Sequence, residues 1–244
     1  MKKIVLITGA SKGIGCAIAK RFASDKYVVV INYNKSEASA LSLSNEIIAA
    51  GGTAMCCKAD VSNADYVKKM INEIINKFGT VDILINNAGI SYEGLLNDTT
   101  DEIWNNIIAT NLTGVFNCTK AVLPYMINQK KGKIINISSI WGICGASCEV
   151  AYSASKSGVI GFTKALAKEI GPSGVTVNCI APGIIDTEMN SNLTEQDKKD
   201  FVEELPISRM GTVKDIADTV FFLCSDSADY ITGQVLAVDG GYSI

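Results

Sequence analysis

Lys3-Ile4-Val5-Leu6-Ile7-Thr8-Gly9-Ala10-Ser11-Lys12-Gly13-Ile14-Gly15 decides how the rest of the chain is read. An aliphatic run, Lys3–Thr8, reads as a buried strand, and a turn with glycines at 9, 13 and 15 follows it. A helix-period stretch, Gly13–Asp25, opens inside that turn. Glycine permits a tight turn and lets the backbone approach a pyrophosphate closely. The free N–H groups and the dipole of a helix start favour the negative charge. The spacing is G-x-x-x-G-x-G rather than G-x-G-x-x-G. Gly9, Ser11, Lys12, Gly13, Ile14 and Gly15 are therefore candidate contacts to a dinucleotide.

Outward from this turn the same alternation repeats. Short β-branched runs at Tyr27–Tyr33, Thr53–Ala59, Asp82–Asn86, Lys133–Ser138, Val175–Ala181 and Gln234–Val238 alternate with helix-period stretches. Those stretches are Glu37–Ala50, Asn63–Phe78, Asp101–Gln129, Val150–Ile170 and Val213–Ser225. Continuous apolar strands suit a parallel sheet buried on both faces. The alternation predicts an α/β fold, one Rossmann-type domain over 1–244 with a seven-stranded, doubly wound parallel sheet flanked by helices. The polar stretch 183–210 breaks the rhythm and lies where such sheets bind ligands, so it is expected to be a substrate lid.

Composition narrows the chemistry. The chain has 244 residues, 48% hydrophobic and 19% charged, with a net charge of −3, and its mean hydropathy is +0.23. Disorder and a general nucleic-acid surface are excluded on those grounds. There is no histidine, which removes Ser-His-Asp and Cys-His nucleophile systems and most catalytic zinc sites. No metal site is expected. The apolar run near the start stops at Thr8-Gly9, too short for a signal peptide, and no stretch is long enough to span a membrane. The eight cysteines include no Cys-x-x-Cys pair, and most of them read as small buried hydrophobes in a reducing cytoplasm.

The second strand ends Ile31-Asn32-Tyr33-Asn34-Lys35, without the carboxylate that binds the adenosine ribose in NAD enzymes. Lys12 and Lys35 are placed to face a 2′-phosphate, which predicts NADP(H), with Asn32 at the same strand end. Asp60-Val61 and Asn87-Ala88-Gly89 close two further strands where the adenine half would sit.

Tyr152 and Lys156 are four apart in a helical stretch and so share a face. An ammonium beside a phenol favours its ionisation, fitting the pair for proton transfer to a carbonyl oxygen. Ser139 ends the fifth strand, where its hydroxyl can hold that oxygen.

Taken together, Thr8-Gly9-x-x-x-Gly13-x-Gly15, Asn86-Asn87-Ala88-Gly89, Asn111, Ser139, Tyr152-x-x-x-Lys156 and Pro182-Gly183 resemble the short-chain dehydrogenase/reductase family over essentially the whole chain. The resemblance implies that Tyr152 is the general acid–base, that Ser139 orients the carbonyl, and that Lys156 binds the nicotinamide ribose and lowers the Tyr152 pKa. It implies that Asn111 kinks its helix and holds a relay water. It also places Pro182, Gly183, Ile185 and Thr187 at the nicotinamide end, and a homotetramer as the assembly.

Within the family the chain is similar to bacterial reductases of 3-oxoacyl-[acyl-carrier-protein], which implies acyl carrier protein as substrate carrier, with Lys130, Lys131 and Lys133 in its docking patch. The stretch from Ser139 to Tyr152 resembles instead a reductase acting on a 5-aminopentanone group of elongation factor P. Glu149 and Trp141 beside the tyrosine would then face a cationic substrate.

Overall fold

Alternate residues of the first strand, β1 (Lys3–Ile7), serve opposite layers. Val5 and Ile7 pack into one core, Ile4 and Leu6 into the other. The same two-residue period divides Val29 and Ile31 from Val28 and Val30 in β2 (Tyr27–Tyr33), and Ile83 and Ile85 from Leu84 in β4 (Ile83–Asn86). Strands apolar on both faces need helices on both.

The computed structural model describes residues 2–24, 26–190 and 194–244. With β3 (Thr53–Lys58), β5 (Gly132–Ile137), β6 (Val175–Pro182) and β7 (Val235–Val238), the seven strands form one sheet in the order β3-β2-β1-β4-β5-β6-β7. Every pairing is parallel. The strand order reverses between β1 and β4, so the ligand crevice is expected outside the carboxyl ends there. One core packs α1 (Gly13–Phe22), α2 (Glu37–Ala49) and α8 (Val213–Leu223) on the sheet. The other packs α3 (Ala64–Phe78), α5 (Gly114–Gln129) and the end of α6 (Val150–Ile170).

The expected strands and doubly wound sheet are all present, with ends shifted by at most one residue. Asp25, the expected end of the first helical stretch, lies outside the described residues. The stretch 101–129 is not one helix. It is α4 (Asp101–Ile108), a wide π-turn at Ala109–Thr113, and α5.

The 183–210 excursion is tied at its base, where Ile185 bridges Gly211 and Gly211 N–H donates to the Ile184 carbonyl at 3.1 Å. It carries α7 (Glu195–Glu203), started by a reciprocal cap in which Thr194 and Asp197 satisfy each other's N–H groups. Residues 191–193 of this expected lid lie outside the described residues. All eight cysteines are free thiols. Among the described residues no helix is long and apolar enough to cross a membrane, and no cluster of metal-ligating side chains occurs.

Candidate active site

The glycine turn is held from beneath. Gly9 adopts φ +61°, and a Cβ there would stand 2.8 Å from Ala88 Cα. Gly15 is equally crowded, with Asn87 Nδ2 at 2.6 Å from the same point. Thr8 Oγ1 accepts the N–H groups of Asn87 and Ala88 at 2.9 and 3.0 Å, while Asn87 Nδ2 donates to the carbonyls of Thr8 and Gly9. Gly13 differs. It has φ +57°, yet only Thr187 Cγ2 lies near, at 3.9 Å from its missing Cβ. That open space at the start of α1 is the cradle a pyrophosphate needs, so the residues present fit a dinucleotide. A groove of about 330 Å³ continues beside it, walled by Cys16, Lys20, Thr187 and Glu188.

The catalytic candidates converge at the end of β5. Tyr152 is buried, and Lys156 Nζ lies 5.5 Å from its ring centroid and donates to the Ile137 carbonyl at 2.9 Å. Ser139 follows β5 and caps a short turn, its Oγ accepting the Trp141 N–H at 3.2 Å. Gly89 brings the end of β4 to the same place, a Cβ on it falling 3.4 Å from both Asn111 Oδ1 and Lys156 Nζ.

The helix break at Asn111 matches the expected kink. Its carboxamide is 1% exposed and bonded on both sides to Ile90, accepting its N–H and donating to its carbonyl at 2.9 Å each, with a further bond to Ser155 Oγ at 3.1 Å. The carboxamide is thus taken up by protein partners. A π-turn leaves backbone groups displaced from the regular ladder, as is frequent at functional sites.

Electrostatically the pair departs from expectation. Burial pushes the Tyr152 phenol up to about 12, with the Ser139 hydroxyl opposing and the Glu149 charge adding to the rise. Burial also pulls the Lys156 ammonium down to about 8. Burial is thus the largest influence on both groups, and no lowering of Tyr152 by Lys156 accompanies it.

Several expected cofactor contacts are corrected by their partners. Asn32 is 1% exposed, and its carboxamide is spent on Gly9 N–H and on the carbonyls of Cys57 and Ala59, so it braces the turn instead of binding ribose. Val61 and Ile185 point into the two cores, leaving only their backbones to a ligand. Lys12 pairs with Glu188, at the base of the 183–210 excursion, at 2.6 Å. Lys35 is exposed near Asp60, whose carboxyl burial would raise but hydrogen bonds from Ser62 and Asn34 hold below its usual range. Pro182 ends β6, Gly183 N–H donates to the Val238 carbonyl, and Thr187 Oγ1 points back to the Ile185 carbonyl. Ser11 and Ile14 are partly buried, Ile14 against the core.

On the substrate side, Glu149 and Trp141 engage each other. Burial raises the Glu149 carboxyl, Glu93 adds to this, and the Trp141 indole opposes it. Trp141 also meets Tyr242 edge-on at 5.7 Å. The two residues expected to face a cation are therefore already partnered. Lys133 is likewise no surface residue. It is 5% exposed and pairs with Asp229 at 2.7 Å at the amino end of β5, opposite the site, with Lys130 and Lys131 just before it. Lys133 therefore adds no exposed charge to the expected docking patch, whereas Lys130 and Lys131 are exposed.

Sequence reasoning missed three hydroxyls that bind the Ser139 loop to α6. Ser138 Oγ donates to the Lys156 carbonyl, Ser157 Oγ donates to the Gly142 carbonyl, and Ser153 Oγ accepts the Ala146 N–H. Serines at 153, 155 and 157 beside Tyr152 and Lys156 were the available signal.

Residues 9–243 match a family model described as enoyl-(acyl carrier protein) reductase. A 3-oxoacyl-[acyl-carrier-protein] reductase of Staphylococcus epidermidis is 45% identical over 241 residues, 99% of each chain. One of Synechocystis is 47% identical over 98% of this chain and 96% of its own, and one of Chlamydia muridarum is 41% identical over 99% and 97%. Such similarity along the full length, with a glycine turn, Ser139, Tyr152 and Lys156 at the carboxyl ends of the central strands, places the chain in the short-chain dehydrogenase/reductase family, whose cofactor is a nicotinamide dinucleotide.

Proposed function

We propose that the chain is an NADPH-dependent carbonyl reductase that converts 3-oxoacyl thioesters on acyl carrier protein to 3-hydroxyacyl thioesters, within fatty-acid biosynthesis. The full-length identity to reductases of that name carries the reading. The site supports it, because a buried, protonated phenol at Tyr152 beside Ser139 suits delivery of a proton to oxygen.

Ser139 and Tyr152 hydroxyls hold the ketone oxygen. The hydride for the carbonyl carbon would come from a nicotinamide held beside them. The Tyr152 phenol transfers its proton to the developing alkoxide, and Lys156, charged below about pH 8, steadies the resulting phenolate. Gly9, Gly13 and the α1 N-terminus would hold the pyrophosphate, with Ser11, Ile14 and Gly15 forming the turn. The Asp60-Val61 backbone, Asn87, Ala88 and Gly89 would line the adenine half. Pro182, Gly183 and Thr187 would meet the nicotinamide, and Lys35 would bind the 2′-phosphate, joined by Lys12 once it leaves Glu188. Residues 183–210 serve as the substrate lid, and the enzyme works as a cytoplasmic homotetramer. The elongation-factor reading has no support in the relatives named above.

Oxidation of NADPH by purified protein with acetoacetyl thioester, run beside NADH and beside crotonyl thioester, tests the proposal. Turnover of the acetoacetyl substrate with NADPH is expected. Turnover of crotonyl thioester alone, or no thioester turnover, overturns it. Lys35→Asp is expected to reverse the preference for NADPH over NADH.

A further inference from the structure

The end of the chain folds back onto the substrate side of the site. Asp239 Oδ1 accepts the Gly241 N–H at 3.0 Å, and Oδ2 accepts the Ser243 N–H and hydroxyl at 3.0 and 2.6 Å. Ile207 N–H donates to the Gly240 carbonyl at 3.0 Å, tying this tail to the far end of the 183–210 excursion. Gly240 and Gly241 both have positive φ, +71° and +92°. The turn they make presents Tyr242 to two other rings. Tyr242 stacks on Phe201 of α7, centroids 4.9 Å apart and planes at 24°, and meets Trp141 edge-on at 82°. Trp141 in turn donates its backbone N–H to Ser139 Oγ.

Three segments far apart in sequence are thus joined by one ring, from the lid helix at one side to the catalytic serine at the other. The helix α7 itself buries no residue; buried Leu205 just after it and the Ile207–Gly240 bond anchor only its carboxyl end. Offset-stacked and edge-to-face rings prefer specific geometry, and that preference supplies the missing constraint.

We propose that Tyr242 is a positioning residue for the reduction, clamping α7 against the Trp141 turn so that the lid holds the acyl side of the substrate over Ser139. The proposal rests on the carbonyl-reductase reading above. The ring, not the hydroxyl, is what the clamp needs.

The test compares Tyr242→Ala, Tyr242→Phe and Phe201→Ala in the full chain. Tyr242→Ala is expected to raise KM for acetoacetyl thioester by about tenfold, the effect of losing two aromatic contacts, with kcat and KM for NADPH changed less than about twofold. Tyr242→Phe restores the wild-type KM, and Phe201→Ala reproduces part of the defect should Tyr242→Ala fold poorly. Without any substrate, trypsin is expected to cleave after Lys198 or Lys199 faster in Tyr242→Ala than in wild type or Tyr242→Phe. An unchanged KM in folded Tyr242→Ala and Phe201→Ala, or failure of Tyr242→Phe to restore it, overturns the clamp. Equal trypsin rates overturn it as well. Absence of thioester turnover in the wild type strikes the functional reading alone, because the proteolysis result needs no substrate.

Discussion

Lys156 Nζ donates to the carbonyl oxygen of Ile137 at 2.9 Å, which tethers the ammonium of α6 to the last residue of β5. Ser139 is two residues further along the same chain. The strand end therefore sets both the cation and the hydroxyl, and α6 adds Tyr152 one helical turn before Lys156. The tethered ammonium is buried, so its charge is held by one carbonyl and by whatever binds beside it.

This predicts the basic limb of the pH profile. Burial lowers Lys156 to about 8, so the group is charged below that pH and neutral above it. Reduction that relies on the cation is expected to fall as pH rises through about 8, read as kcat/KM between pH 6 and 10. A flat profile to pH 10 would exclude the role. The same shift makes a stability contribution of definite sign. The folded value lies below the ordinary value of 10.5, so the penalty for the buried charge is present below about 8 and is relieved as pH rises towards 10.5.

Removing the phenol hydroxyl separates chemistry from binding. Tyr152→Phe keeps the ring in its buried place and deletes only the proton donor. A loss in kcat of about 10²–10⁴-fold is expected from the general-acid contribution, with NADPH affinity within about threefold. An unchanged turnover rate would sink the mechanism.

The π-turn has a measurable stability cost. Asn111→Leu strips partners from the Ile90 N–H and carbonyl and from Ser155. Ile90 is itself partly exposed and Ser155 Oγ keeps its bond to the Tyr152 carbonyl, so each lost bond counts for about 0.5–1.5 kcal/mol and urea unfolding is expected to show a loss of about 1–3 kcal/mol. A change below about 0.5 kcal/mol would mean that water replaces the carboxamide.

Two glycines of one turn are expected to answer differently to the same substitution. Gly9→Ala drives a Cβ to 2.8 Å from Ala88 Cα and disrupts packing, so thermal stability falls. Gly13→Ala meets open space; only its positive φ opposes it, at about 1–2 kcal/mol. Its main effect is weaker NADPH binding, measured by titration of the reduced nucleotide's fluorescence.

Lys133→Met tests the docking patch read from the sequence. The lysine is buried at the opposite end of the sheet from the site. KM for a carrier-protein substrate is expected to stay unchanged, whereas a severalfold rise would return the patch to that surface. Replacing an ion pair by an apolar side chain is often neutral or stabilising, so the melting temperature is expected to hold.

Period and spacing made the α/β architecture legible, because strands buried on both faces are mostly apolar on both and helices repeat their apolar positions every three to four. The glycine turn was legible for a related reason, since positive φ and close approach exclude most side chains at Gly9. Asn32 was misread because a strand-end polar residue looks the same whether it turns out to a ligand or under the turn. Lys133 was misread because charge implies exposure on average, and a single Asp229 inverted it.

The sequence by itself determined the alternating elements, the parallel sheet, the glycine turn and the set Ser139, Tyr152 and Lys156, since each follows from local periodicity or from residues close in the chain. Tertiary structure alone decided that the Asn111 carboxamide closes on Ile90 and Ser155, that Glu149 and Trp141 satisfy each other, and that Tyr242 joins α7 to the Ser139 turn. Those outcomes depend on contacts between distant segments and on the cost of burying polar groups, neither of which a local pattern encodes.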